Sequence, residues 1–343
     1  MSLLSVPSVT DITEMAGDGD DPPRDVVGRD LGPWRIRPGG ARGRVKASGR
    51  SRSRPGDGRC VMKLLVGLDG SEHSASTLAF TAELAAALDA RSGDGSTQVV
   101  VVHCHPGFDD PAGAEAEALR TQVTAWMAPL LARGVHPSTT LMEADPRHGL
   151  LEAAEAADAD LIVVGSRGRG GFRGLRLGGT ADHLVRHAGV PVAVVPDGGG
   201  PVAEGTIVVG VDGTDANRPA LEWAAALAER VGASVEAVFV HDPMADSYPH
   251  PPVDNWHYRG QDRAESMVKE VDEAVAAPVR FRDVAGNVVT ALDAAANAAD
   301  AACVVVGTRG GVAGRVSAPG RVLGRTTVQL LHHAHRPVVV VPH

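Results

Sequence analysis

The stretch whose residues could do chemistry most directly is residues 165–180, with the sequence GSRGRGGFRGLRLGGT. Its glycines Gly165, Gly168 and Gly178 are separated by two and then nine residues. Glycine has no β-carbon, so backbone amides at both ends of this loop can approach a ligand closely. Such amides, with a helix N-terminus behind them, attract anions and most often phosphate. The stretch also contains four arginines, and no carboxylate occurs before Ala181. This positive charge further favours an anion, so the stretch predicts a phosphate site.

A second interpretation is that the glycines only permit a tight turn between a strand and a helix. Repetition favours the functional interpretation. The sequence LIVVGSRG at residues 161–168 recurs as CVVVGTRG at residues 303–310. The two copies are about 140 residues apart, which is in the range of one domain length.

Length and composition narrow the class of protein. The chain has 343 residues, 43% of them hydrophobic, so two domains can each bury a core. The net charge of −9 argues against unspecific binding to nucleic acid or anionic membrane, because both require a basic surface. The three cysteines have neither CxxC spacing nor an even count, which disfavours a disulfide framework and favours a reducing cytoplasm. No apolar run approaches the ~20 residues of a membrane helix.

Residues 1–60 are predicted to be a disordered extension. They are rich in aspartate, then in glycine, proline and arginine, with almost no periodic apolar residues. Their basic second part can be interpreted as an RNA-binding or membrane-touching arm, although a solvated tail is the favoured interpretation. Met62 stands directly before the first regular strand, which suggests the hypothesis that the natural product begins at or near it. The intact mass of the protein made in its own host tests this hypothesis.

From residue 62 onward, short apolar strands alternate with helical patterns, and the order occurs twice. The second copy begins with VGVDGT, which matches VGLDGS of the first copy. Strands that are apolar throughout, alternating with helices, indicate parallel sheets covered on both faces. The sequence therefore predicts two α/β domains, residues 61–196 and 205–343, joined by a linker at residues 197–204. Long helices are predicted over residues 115–133 and 263–276.

Four motifs in fixed order resemble the universal stress protein family. They are VGLDGS at the first strand, IVVGSRG at the fourth, the loop with two and then nine residues between glycines, and a final strand of the form HHA-x-x-PVVVV. Over residues 62–343 the chain looks like a tandem two-domain member of the ATP-binding type. The resemblance implies two doubly wound, five-stranded parallel sheets of order 3-2-1-4-5, similar to adenine nucleotide alpha hydrolases. It also implies ATP, with Mg²⁺ brought by the nucleotide, across the carboxyl ends of strands 1 and 4, which is also the topological switch point.

Carried over residue by residue, the resemblance implies a first site in which Asp69 contacts the nucleoside and Cys104 lies near adenine. The full first set is Asp69, Cys104, Val164, Gly165, Arg167, Gly168, Gly178, Gly179 and Thr180. The family has Ser or Thr directly after the last glycine, where this chain has Gly179. Loss of one hydrogen bond costs about 0.5 to 1.5 kcal/mol, so we expect binding to survive. Asp69 can equally form an Asx turn that caps the next helix.

The second half departs further from the family pattern. Its candidate set is Asp212, His241, Val306, Gly307, Arg309, Gly310, Gly324, Arg325 and Thr326. The match requires four extra residues in the loop, so either Gly320 or Gly324 closes the second cradle. Arg325 then occupies the hydroxyl position, and a second nucleotide site is less firmly expected.

Neither a Walker lysine, a GxSxG elbow nor a catalytic base occurs in the glycine loops. We therefore expect a regulatory adenine-nucleotide-binding protein with slow or absent ATP hydrolysis, acting on an unidentified regulated protein. The alternative is an interaction module of the same fold that needs no nucleotide.

The HCH sequence at residues 103–105 and the histidines near residue 333 are interpreted as structural, so no metal site is expected. The apolar last strands of the two halves are edges that should pair within the chain, and light scattering tests for a further homodimer.

Overall fold

The computed structural model describes residues 35–38, 62–92, 97–107, 113–168, 177–198, 205–241, 256–308 and 322–343. All of them belong to one unit, Trp34–His343. The elements in chain order are β1 (Arg35–Pro38), β2 (Lys63–Gly67), α1 (Ser74–Ser92), β3 (Gln98–His105), α2 (Ala114–Trp126), α3 (Ala128–Ala132), β4 (Ser138–Glu143), α4 (Pro146–Ala157), β5 (Leu161–Gly165), α5 (Gly179–His187), β6 (Val192–Val195), β7 (Thr206–Val211), α6 (Arg218–Val231), β8 (Ser234–His241), α7 (Trp256–Ala274), β9 (Val279–Ala285), α8 (Val288–Ala298), β10 (Cys303–Gly307), α9 (Arg325–His333) and β11 (Val338–Val341). Within these ranges, none of the helices combines the length and the apolar character needed to cross a bilayer.

The strands form one sheet in the order β1-β4-β3-β2-β5-β6-β11-β10-β7-β8-β9. Each half contributes five strands that are parallel to one another. In both halves the strands read 3-2-1-4-5 when numbered along the chain, which confirms the predicted topology. The two halves therefore repeat one doubly wound α/β architecture.

The halves join through their last strands. β6 and β11 pair antiparallel, with Val338 opposite Val194 and Val340 opposite Val192. This is the pairing within the chain that the sequence predicts for these two apolar edges. Because the pairing continues the hydrogen-bond ladder, one sheet runs through both halves.

Helices cover both faces of this sheet, so most strand residues are buried on either side. One core lies under α1, α2, α3, α6 and α7, and it holds Leu64 and Val305 as well as Val339. The other lies under α4, α5, α8 and α9, and it holds Ile162 and Val338. Each core contains residues of both halves, so packing as well as strand pairing unites them.

Three elements differ from the sequence prediction. One is α7, predicted over residues 263–276, which begins seven residues earlier, at Trp256. The helix predicted over residues 115–133 is divided into α2 and α3 at Met127. Pro129 explains the division, because proline has no amide hydrogen and its ring clashes with the carbonyl four residues earlier. Within residues 1–60, predicted to be disordered, the structure describes one strand, β1. It pairs in parallel with β4, whose outer edge would otherwise leave its backbone groups unpaired.

The turn after β2 contains Gly70, where both the backbone torsion and a close neighbouring ring disfavour any side chain. Gly70 has φ +71 and a β-carbon there would stand 1.9 Å from the Trp126 ring, whereas Gly134 has φ +76 with nothing within 4 Å. We expect Gly134→Ala to cost about 1 to 2 kcal/mol for the left-handed backbone alone. Gly70→Ala should cost about 1 to 3 kcal/mol more, because the indole must move. Denaturant unfolding of both variants measures this difference, and equal losses would contradict the packing argument.

Candidate functional site

A cleft of about 510 Å³ opens at the carboxyl ends of β2 and β5. These neighbouring strands continue to β3 on one side and β6 on the other, so the cleft lies at a topological switch point. All nine residues predicted for the first site line this cleft: Asp69, Cys104, Val164, Gly165, Arg167, Gly168, Gly178, Gly179 and Thr180. The structure thus brings together residues that are up to 111 positions apart in the chain.

The first turns of three helices contribute to the lining. Ser74 and Thr77 come from the start of α1, Arg147 from the start of α4, and Gly179 and Thr180 from the start of α5. A helix N-terminus carries about half a positive elementary charge, arising from amides that have no partner within the helix. Three such ends facing one cleft make it attractive to an anion.

Asp69 combines the two roles that the sequence left open. Its Oδ1 accepts hydrogen bonds from the amide of Ser71 at 3.0 Å and from the hydroxyl of Ser74 at 3.1 Å. This is the Asx-turn geometry that fixes the entry to α1. The carboxylate also lines the cleft. Asp69 is therefore a structural residue placed at the site.

Two glycines of the loop, Gly165 and Gly168, are restricted by space rather than by backbone torsion. Among the glycines in the described ranges, Gly165, Gly168 and Gly178 do not have positive φ. A β-carbon on Gly168 would stand 2.4 Å from Oδ2 of Asp69, and one on Gly165 would stand 3.1 Å from the carbonyl oxygen of Arg167. A β-carbon on Gly179 would meet nothing within 4 Å, so that position opens directly onto the cleft.

The loop amides divide into two groups. The amide of Ser166 donates to the carbonyl of Val195 at 2.8 Å, and that of Gly178 donates to the carbonyl of Ser166 at 2.7 Å. These two are turned into the protein and hold the loop against β6. Gly179 and Thr180 are the first two residues of α5, and amides at such positions have no acceptor within their own helix. Both residues line the cleft.

Both arginines in the described lining are held by carboxylates. Arg147 donates to Asp145 through Nε and Nη2 at 2.9 and 2.8 Å. Nη1 of Arg167 lies 3.6 Å from Oδ2 of Asp197, whose Oδ1 lies 2.7 Å from Nδ1 of His73. Asp197 follows β6 and begins the connection to the second half, so this connection starts beside the glycine loop.

The family model of the universal stress protein family matches residues 61–196 and again residues 205–342. The chain belongs to the universal stress protein family. The two matched segments cover the five parallel strands that each half contributes to the sheet, and the glycine loop and the cleft fall within the first segment.

Relatives and solved structures agree with this membership. A universal stress protein of Mycobacterium tuberculosis is 31% identical over 195 residues, which are 52% of this chain and 58% of that relative. The matched region thus spans somewhat more than half the length of the relative. A universal stress protein of Archaeoglobus fulgidus, 18% identical, covers 82% of this chain and 98% of its own at a TM-score of 0.56, which shows a shared fold.

The thiol of Cys104 is held in its neutral form in this universal stress protein. Burial, with a smaller contribution from Asp145, raises the pKa of Cys104 to about 12. A β-carbon on Gly149 of α4 would stand 2.8 Å from its sulfur, so helix and thiol are in close contact. Cys104 therefore forms an apolar part of the cleft wall and not a reactive group.

The start of α4 is one part of the lining that the sequence prediction missed. Asp145, Pro146, Arg147 and Leu150 all line the cleft. Asp145 is the N-cap, and its side chain accepts a hydrogen bond from the amide of Arg147. An Asp-Pro pair after a strand is a helix-start signal in its own right. Combined with the rule that helices follow the carboxyl ends of parallel strands, it could have identified these residues.

The N-cap of α4 predicts a pH dependence of stability. Hydrogen bonds from the Arg147 side chain lower the pKa of Asp145 from 3.8 to about 2. A depressed folded-state pKa stabilises the protein above pH 3.8, and that contribution is lost as the pH falls toward 2. The side chain is 44% exposed, so the effect should stay under about 1 kcal/mol.

Two substitutions of Asp145 separate the effect of its negative charge from the effect of its helix-capping hydrogen bond. We expect Asp145→Asn to remove the acid dependence while keeping the cap, and Asp145→Ala to lose about 1 kcal/mol at neutral pH. Urea unfolding at pH 7 and pH 3 measures both effects. Identical acid profiles for the wild-type chain and Asp145→Asn would contradict this assignment.

In the second half, the structure chooses between the two glycines proposed to close the loop. The amide of Gly324 donates to the carbonyl of Thr308 at 2.8 Å, as Gly178 does to Ser166, and Gly324 is the N-cap of α9. Gly324 therefore takes the place of Gly178. Arg325, exposed, and Thr326 follow it as predicted, while Arg309, Gly310 and Gly320 lie outside the described residues.

The sheet register shows which first-half residue corresponds to His241, a candidate of the second half. Gly67 pairs with Val102 and Gly210 pairs with Val238, so the counterpart of Cys104 is Val240. His241 corresponds instead to His105, and its Nδ1 lies 2.8 Å from Oδ1 of Asp283. Other described candidates lie at the carboxyl ends of β7 and β10. Val306 and Gly307 end β10, and Asp212 accepts from the amide of Thr214 at 2.9 Å.

The histidines of β3 have local partners. Nδ1 of His103 lies 2.7 Å from the carbonyl oxygen of Leu68. Nδ1 of His105 accepts from the amide of Gly107 at 3.1 Å, and burial lowers the pKa of His105. Over the ranges that the structure describes, no group of three or more His, Cys, Asp and Glu residues is placed to hold a metal ion.

Proposed function

We propose that the first-half cleft binds an adenine nucleotide, with ATP and its accompanying Mg²⁺ as the expected ligand. We further propose that its occupancy regulates a partner protein in a stress response. One observation carries the proposal: three helix starts and the glycine loop converge on one cleft at the switch point of the sheet. Such an arrangement is suited to a phosphorylated ligand.

The dimensions and lining of the cleft support a nucleotide rather than a free anion. Its volume of about 510 Å³ lies in the range of small-molecule sites, which is about 300 to 1,000 Å³. Apolar side chains of Val102, Leu150 and Leu177 line it together with the polar loop. A base can pack against the apolar side chains while the phosphates meet the amides at the start of α5. Membership of the universal stress protein family favours adenine, because the resemblance to its ATP-binding branch implies it.

The carboxylates of the cleft support binding with slow or absent hydrolysis. Phosphoryl transfer requires a positioned base or a residue that orients water. Asp69 is engaged by Ser71 and Ser74, and Asp145 is engaged by Arg147. Both carboxylates have structural partners, so we propose a regulatory protein and not an enzyme.

Calorimetric titration of the full chain with ATP, adenosine and tripolyphosphate tests the proposal. We expect saturable heat with ATP and weaker binding of adenosine and of tripolyphosphate, because each lacks one half of the ligand. Absence of heat at millimolar ATP would overturn the proposal. Equal binding of ATP and tripolyphosphate would instead show a phosphate site without a base pocket.

The second half favours the alternative function, an interaction module that needs no nucleotide. Arg325 stands where Gly179 opens the first cleft, and the hydroxyl of Thr327 donates to the carbonyl of Gly307 at 2.9 Å. That hydroxyl is therefore used within the protein. Hydrogen exchange with and without ATP separates the halves: we expect protection at α5 and none at α9.

A further inference from the structure

A buried hydroxyl in the first cleft has no partner. Thr77 lines the cleft and is 1% exposed. Among the described residues, its Oγ1 makes no hydrogen bond. Leaving a buried hydroxyl unsatisfied costs about 1 to 3 kcal/mol, and such groups are rare enough in folded proteins to require an explanation.

Other helical threonines of the same half show the usual alternative. Thr81, Thr121 and Thr124 each donate to the carbonyl four residues earlier, at 2.8, 3.0 and 2.9 Å. Such a bond is the ordinary way for a threonine in a helix to satisfy its hydroxyl. Thr77 does not make it. Its hydroxyl lies instead at the start of the glycine loop, since a β-carbon on Gly165 would stand 3.2 Å from Oγ1.

The second half of the chain lacks this hydroxyl. Thr77 stands eight residues after Asp69, and Ala220 stands eight residues after Asp212. Ala220 is equally buried, so the fold accepts a small apolar side chain at this position. The threonine is therefore not needed for packing, and it occurs in the half that carries the described cleft.

We propose that the Thr77 hydroxyl is a phosphate-binding group of the first cleft, in place of the hydroxyl that Gly179 lacks. This inference rests on the proposed nucleotide-binding function. Thr77 lies in the first turn of α1, where the helix dipole favours negative charge. The hydroxyl would donate to a phosphoryl oxygen held between α1 and the start of the glycine loop, so the cleft selects phosphorylated ligands over nucleosides.

Titration of full-length Thr77→Val with ATP and with adenosine tests this proposal. Valine has nearly the same shape but no hydroxyl, so the fold should be kept. We expect ATP binding to weaken about 3- to 10-fold, as for loss of one hydrogen bond, and adenosine binding to stay unchanged. The unfolding temperature should stay equal or rise, because a buried unsatisfied group is removed.

Two further variants sharpen the comparison. Thr77→Ser keeps the hydroxyl and should keep ATP affinity. Thr81→Val lies one turn along the same helix and removes a hydroxyl that is already bonded, so ATP affinity should not change. Unchanged ATP affinity in folded Thr77→Val would overturn the phosphate role, as would an equal loss for adenosine. A wild-type chain that binds neither ligand would overturn the proposed function itself.

Discussion

Replacing Val339 by aspartate is expected to destabilise the protein by more than about 4 kcal/mol, a loss that only severe core changes produce. Val339 is 1% exposed and pairs with Val305 on one side and Ala193 on the other. A carboxylate there would lie between the two halves with no partner, and burying an unpaired charge is among the costliest changes. Because total stabilities are about 5 to 15 kcal/mol, a large part of the fold should be lost.

Denaturant unfolding measures this loss, and hydrogen exchange shows where it occurs. We expect the amides of β6 to exchange as fast as those of β11, because each strand completes the ladder of the other. Val322→Asp is the matched control, since Val322 is 42% exposed and should change stability by less than about 0.5 kcal/mol. A β6 that stays protected in Val339→Asp would show that the halves are stable independently.

Gly179→Asp is expected to weaken ATP binding by at least tenfold without loss of stability. A side chain at residue 179 meets nothing within 4 Å and enters the cleft. Two charges about 4 Å apart near a protein surface interact by about 4 kcal/mol, so an aspartate there should repel phosphate strongly. The same aspartate lies in the first turn of α5, where it should stabilise the helix by about 0.3 to 1 kcal/mol.

Gly179→Ser separates charge from size at the same position. It restores the hydroxyl of the family pattern and should bind ATP as well as, or up to about tenfold better than, the wild-type chain. Calorimetry with ATP and thermal unfolding together give the result. Equal ATP affinity in Gly179→Asp and the wild-type chain would place the phosphates elsewhere.

The sequence predicted the features that rest on repetition and on local pattern. The doubled α/β architecture followed from apolar strands alternating with helices. The strand order, and the choice of the nine residues that the structure places around one cleft, followed from the resemblance to the universal stress protein family. The pairing of β6 with β11 followed from two unprotected valine-rich edges. In each case the determining residues are close together in the chain or occur twice.

What the sequence did not predict depends on register and on packing between distant residues. His241 is a second-site candidate, yet the ladder places Val240, and not His241, at the position that corresponds to Cys104. Thr77 looks like any helical threonine until the orientation of its hydroxyl is known. The Asp-Pro pair before Arg147 signals a helix start, but the contacts of Arg147 in the cleft depend on how α4 packs beside β2.

The seam between β6 and β11 also limits how two copies of the molecule can meet. An isolated half would present a bare valine edge, a template on which a second polypeptide can assemble. In this chain β6 and β11 already pair with each other. Their facing backbone groups are therefore not available to a second polypeptide. One of the two edge strands of the whole sheet, β9, carries Arg280, Arg282 and Asp283, and charged edges discourage the pairing of sheets edge to edge. A homodimer of this protein therefore cannot use the seam strands, and pairing through β9 would have to accommodate these charges.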